Sequence, residues 1–142
     1  MKLFATGGVI TAGSTPDAVQ MPADDLAEAT GLAHRLGLKV AVHAHGHPGI
    51  ANALAAGVDS IEHFSYLDER LVPELGGCTL VSTLVATERF VNADDRSAAT
   101  PETLAKILAH VAHERVGTRL AAQLPGHLAV GTDAGTTFNP HG

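Results

Sequence analysis

Apolar residues along the chain fall into two alternating kinds of segment. Short runs rich in β-branched residues predict strands over Lys2 to Thr6, Leu38 to His45, Ser60 to Phe64, Thr79 to Leu84 and Leu128 to Thr132. Stretches with helical period lie between them. One helix is opened by Pro22 and closed by Gly37, a short one (GIANALAA) follows Pro48 and stops at Gly57, and another is predicted around Asp68 to Leu75. A long amphipathic helix starts at Pro101, carries Leu104, Ile107, Leu108, Val111 and Leu120 on one face, and ends at Pro125-Gly126. Val85 to Thr100 is poorly patterned.

Strands alternating with helices signal an α/β fold with a parallel sheet, and the uninterrupted run Thr79 to Leu84 suits a strand covered on both faces. Five strands joined by crossovers fit a partial (β/α)8 TIM-type barrel, because a closed one needs about 250 residues. The expectation is a single domain over residues 1–142 whose outer strands must be covered, by a second copy or a complementing chain. Composition narrows the function. The net charge of −6, without a Lys/Arg cluster, argues against nucleic acid or an anionic membrane surface as partner. No apolar run approaches the ~20 residues of a membrane-spanning helix. A single cysteine, Cys78, and an N-terminus without a signal-peptide pattern point to the cytoplasm. The glycines from Gly7 to Gly13 follow neither a phosphate-loop nor a dinucleotide-binding order, which leaves an unrelated doubly wound domain unsupported.

Nine histidines match the nine Lys and Arg residues in number, which invites a metal or proton-transfer reading. His34, His110, His113 and His127 lie in helical or loop sequence and read as surface residues. Barrels deliver chemistry at the C-terminal ends of their strands, so the strand ends are where ligands belong. His43 and His45 end the second predicted strand, His63 the third and Asp133 the fifth; Lys2 lies in the first, and the fourth offers only the hydroxyls of Ser82 and Thr83. Side-chain alternation puts His43 and His45 on one side and sets Glu62 opposite His63, so Glu62 is not expected to serve as a base beside it. Imidazole and carboxylate suit Zn²⁺ and similar ions. The bland alternatives are hydrogen-bonded histidines and an aspartate that caps a turn.

Read in order, these segments resemble the amidohydrolase superfamily, in its imidazolonepropionase-like and Xaa-Pro dipeptidase-like branch. Lys2-Leu3-Phe4-Ala5-Thr6-Gly7-Gly8-Val9 resembles that branch's fourth-strand motif, and Gly37 to Gly46 (GLKVAVHAHG) its fifth. Ala56 to His63 (AGVDSIEH) resembles the sixth and Val130 to Gly135 (VGTDAG) the eighth. The resemblance implies strands four to eight of the barrel and a metal-dependent hydrolase of C–N bonds, in amide or dipeptide-like small molecules, acting through a metal-activated water. It implies one or two divalent ions, zinc first, with manganese or iron as alternatives. By position His43 and His63 match metal ligands, and Asp133 matches the aspartate that binds metal and takes the proton from the attacking water. Lys2 matches the lysine that is carboxylated in binuclear members. His45 would sit beside the site, against substrate or ligands. The family's first-strand His-x-His pair has no counterpart before Lys2, so the chain is expected to be incomplete as it stands. The competing expectation is a catalytically inactive remnant or a metal-binding module.

Overall fold

The computed structural model describes residues 1–91, 99–135 and 139–141. Five parallel strands form one sheet in chain order, β1 (Lys2–Phe4), β2 (Ala41–Ala44), β3 (Ser60–His63), β4 (Thr79–Ser82) and β5 (Leu128–Val130). The α/β fold expected from the alternating pattern is the one observed. Each parallel neighbour is reached by a crossover, as in consecutive units of a (β/α) barrel. The helices are α1 (Ala23–Arg35), α2 (His47–Ala55), α3 (Leu84–Val91) and α4 (Pro101–Ala121).

The strands alternate cleanly between their two faces. Val42 and Ala44 of β2, Ile61 of β3 and Leu80 of β4 are fully buried in the main core, under α1 and α2. On the opposite face Phe4, His43 and Glu62 stand in register across β1, β2 and β3. That polar face leads up to the strand ends.

Three parts of the chain depart from the expected pattern. Asp68 to Leu75 forms only a single 3₁₀ turn, Val72–Glu74, because Pro73 and the glycines after Leu75 stop propagation. The unpatterned stretch after Leu84 opens as α3, eight residues whose one fully buried apolar side chain, Phe90, joins Val9 and Ile107 in a small second core. Residues 92–98 of that stretch lie outside the described residues. Helix α4 is as long as expected, with the Thr100 hydroxyl accepting from the Thr103 amide as N-cap, but its buried face is different. Ile107, His110, Val111, Glu114, Gly117 and Ala121 are buried there, whereas Leu108 is exposed.

Gly117 sets how closely α4 approaches the sheet. A Cβ at this position would lie 3.0 Å from the carbonyl oxygens of both Phe64 and Ser65, which are backbone atoms and cannot swing aside. Gly117→Ala should therefore force the helix outward and destabilise the fold by about 1–3 kcal/mol. Calorimetry should show a melting temperature lowered by several degrees. An unchanged transition would mean that the helix tolerates a different height.

Candidate metal centre

The polar face of the sheet ends in a cavity of about 400 Å³ that collects all five residues singled out in the sequence: Lys2, His43, His45, His63 and Asp133. They come from four of the five strands. Phe4, Val9, Ile10, Phe90 and Ile107 supply apolar wall, and Thr83, Thr87 and Glu114 supply polar wall.

The histidines are packed against one another. His43 and His45 meet edge to face with centroids 4.6 Å apart, and His45 and His63 stack at 4.6 Å with 19° between their planes. One ring nitrogen from each of His43, His45 and His63 can be chosen so that all three lie within 4.8 Å of one another. Their positions depend on a break in strand geometry. His63 and Phe64 have φ of 75° and 39°, both in the left-handed region that L side chains seldom adopt, and Asp133 has φ 50°. The turn at His63 carries its ring to His43, although alternation alone would send it into the core with Ile61. Glu62 stands where alternation puts it, opposite Ile61, and is not among the residues lining the cavity. It stands in register with His43, accepts a hydrogen bond from Ser60 at 2.8 Å, and its charge acts on both Lys2 and His43.

Burial holds all three imidazoles neutral. It lowers His43 from its ordinary value, takes His45 well below it, and brings His63 down to about 3, where neighbouring His43 and Lys2 add to the effect. Neutral imidazoles keep a lone pair available to a cation. His43 Nε2 lies 3.3 Å from the Gly7 carbonyl oxygen, which can only accept, so its proton sits there and Nδ1 is the free donor atom. His63 Nδ1 lies 2.7 Å from Thr83 Oγ1, which leaves Nε2 for the cavity. Lys2 loses part of its basicity to burial, opposed by the charges of Glu62 and Asp133. Asp133 is exposed at the rim, in a loop where Ala134 N donates to Thr132 Oγ1 and Asn139 donates to the Thr132 carbonyl. Nitrogen and carboxylate donors in one cavity fit a divalent ion of the zinc type.

Two residues of this site were not anticipated. His110, expected at the surface, is 2% exposed, and Glu114, one turn later, is 1% exposed. His110 packs edge to face on His45 with centroids 4.7 Å apart, and Glu114 lines the cavity beside Thr87. Their four-residue spacing is visible in the sequence, but a His and a Glu among exposed Glu and Arg positions look like solvated helix. The other three behave as expected or are only half-buried: His34 pairs with Asp59, His113 stacks on Tyr66, and His127 bonds the Cys78 carbonyl.

The sequence matches the Amidohydrolase family over residues 1–139. The chain belongs to the amidohydrolase family. Among curated relatives of this amidohydrolase is ochratoxinase of Aspergillus niger, 30% identical over 135 residues that make up 94% of this chain and 28% of that protein. The chain thus spans under a third of the length of the curated relatives it matches. The crystal structure of A. niger ochratoxinase is similar at a TM-score of 0.83, covering 94% of this chain and 30% of that one. A Xaa-Pro dipeptidase with bound methionine in its active site is similar at 0.84 with 26% identity, covering 99% of this chain and 34% of that one. Among the described residues no helix of this amidohydrolase is long and apolar enough to cross a membrane.

Burial of neutral histidines makes a prediction for acid stability. His63 and His110 are depressed to about 3 and about 4, the latter by burial and then by His113 and His43. Below pH 6.5 the unfolded chain takes up protons on these residues that the folded chain does not, so the stability present above that pH is lost as pH falls toward 4. Each such histidine contributes a slope of up to about 1.4 kcal/mol per pH unit. Urea titrations of metal-free protein at pH 7, 6 and 5 should show this fall, and His110→Gln should flatten it. Equal stability at the three values would contradict the buried, neutral cluster.

Proposed function

We propose that the chain carries a metal-binding part of a hydrolase acting on C–N bonds in small amide or dipeptide-like molecules. The observation that carries this reading is the convergence of Lys2 of β1, His43 of β2, His63 of β3 and Asp133 of the loop after β5 on one cavity of about 400 Å³. The names of the similar proteins, an ochratoxinase and a Xaa-Pro dipeptidase, support the substrate class.

His43 through Nδ1 and His63 through Nε2 would hold a zinc ion, with Asp133 and, if carboxylated, Lys2 as the oxygen donors. Such an ion, when bound, would polarise the amide carbonyl and acidify a water molecule. Asp133, exposed at the rim, would accept that water's proton and hand it to the leaving nitrogen. Phe4, Val9, Ile10, Phe90 and Ile107 form a wall against which an apolar part of the substrate would bind. Strands β1 and β5 are outermost in the sheet, so turnover would take place where further polypeptide covers those edges and closes the cavity.

Metal analysis of protein purified without chelator tests the proposal. The expected result is close to one zinc per chain in wild type, lost in both His43→Ala and Asp133→Asn, followed by cleavage of N-acyl amino acids or dipeptides once polypeptide that covers the β1 and β5 edges is supplied. Wild type that stays metal-free in excess zinc would overturn it and favour an inactive remnant.

A further inference from the structure

His43, His45 and His63 form a closed triangle of rings. Each pair of ring centroids is 4.6 Å apart, and one nitrogen from each ring can be taken so that all three lie within 4.8 Å of one another. Among the described residues this is the one group of three His, Cys, Asp or Glu side chains gathered closely enough to hold an ion. The family resemblance puts His45 beside the site, against substrate or ligands. The geometry gives it an equal share in the cluster.

The far nitrogen of each ring is already engaged. His43 Nε2 lies 3.3 Å from the Gly7 carbonyl oxygen, His45 Nδ1 2.8 Å from the Ser65 hydroxyl and His63 Nδ1 2.7 Å from the Thr83 hydroxyl. An oxygen on the far nitrogen is what fixes the orientation of a metal-bound imidazole and raises its basicity, and all three rings have one. His43 Nδ1, His45 Nε2 and His63 Nε2 make no hydrogen bond among the described residues. Those are the three atoms left for a cation.

His45 is held as firmly as the other two. Its ring is 7% exposed, and His110 of α4 packs edge to face on it with centroids 4.7 Å apart. Coordination through Nε2 requires the His45 proton on Nδ1, donated to Ser65. The Ser65 oxygen has two lone pairs, so it can accept that proton and also the one on His110 Nε2, 2.8 Å away.

We propose that His45 is itself a metal ligand in this chain, so that the ion is held by three imidazole nitrogens, His43 Nδ1, His45 Nε2 and His63 Nε2, with Asp133 in the fourth position. This deepens the proposed function and rests on its zinc at His43 and His63. Two consequences follow for the site: His45 is withdrawn from contact with substrate, and a carboxylated Lys2 is not needed to complete four ligands. The donor set also selects the ion. Three imidazoles suit zinc, cobalt, nickel or copper and discriminate against magnesium, calcium and manganese. Nitrogens bound to one tetrahedral zinc stand roughly 3.3 Å apart, so the rings turn inward on binding. His45 and His63, stacked with 19° between their planes, leave that stack as they do so.

Zinc titration of metal-free protein at neutral pH tests the inference. His45→Gln and His45→Phe, the second of which keeps a flat ring in the triangle, should both lose zinc as His43→Gln does. Ser65→Ala should bind it about 10–100-fold more weakly than wild type, and manganese should not displace zinc from wild type. Nitrogen-15 NMR of the wild-type imidazoles supplies a readout that a merely structural His45 would not move, and it decides even where a variant fails to fold. Zinc should shift His43 Nδ1, His45 Nε2 and His63 Nε2 together. A His45→Phe chain that holds zinc like wild type while His43→Gln loses it, or a His45 Nε2 signal unmoved by bound zinc, would overturn this inference and leave the proposed function standing. Wild type that binds no zinc would overturn both.

Discussion

The distance between α4 and the loop after β3 governs everything at the site. That distance is set where residue 117 has no side chain, because the carbonyls of Phe64 and Ser65 occupy the space a Cβ would need. Three and seven residues earlier, on the same helix face, stand Glu114 and His110. Were the helix farther out, His110 would not reach the Ser65 hydroxyl, Glu114 would not reach that of Thr87, and water would enter between them. The close contact therefore converts an ordinary covering helix of an α/β fold into a polar wall of the cavity.

A second constraint is the backbone at the end of β3. A strand that kept its alternation would leave Glu62 facing the cavity and bury His63 against the helices. The left-handed turn at His63 and Phe64 reverses this for one residue, while Phe64, fully buried, anchors the turn in the core. Strain of this sort costs on the order of 1–3 kcal/mol and persists where packing on both sides over-determines it. Here the packing is Phe64 below and α4 above, so the same contact at Gly117 supports the turn.

These two features explain what could and could not be read from the sequence. The strands were legible because β-branched runs between glycines have few other uses, and the ligand candidates were legible because a barrel delivers its chemistry at strand ends. All five candidates do line one cavity. The side-chain directions were not legible at His63, because alternation assumes a regular backbone and the residue leaves the strand with positive φ. Helix α3 was hidden because only Phe90 is fully buried on it. The buried face of α4 was hidden for a stronger reason. Hydrophobic periodicity finds buried faces by their apolar residues, and this face buries His110, Glu114 and Gly117 in place of the leucines, with Leu108 turned outward.

That exchange is unfavourable for stability alone. A carboxyl buried without water is penalised by desolvation, which here raises the Glu114 pKa, and two threonine hydroxyls offset only part of the effect. A leucine at 114 would fill the space at lower cost. What a leucine could not do is accept the Thr87 proton and give the cavity a polar wall on that side. The same holds for His110, whose buried Nδ1 lacks a hydrogen-bond partner among the described residues. His110 is joined through the single hydroxyl of Ser65 to His45 of the cluster. Stability lost in the helix is thus exchanged for polar groups held against the histidine cluster and the cavity wall, where water would otherwise have to solvate them.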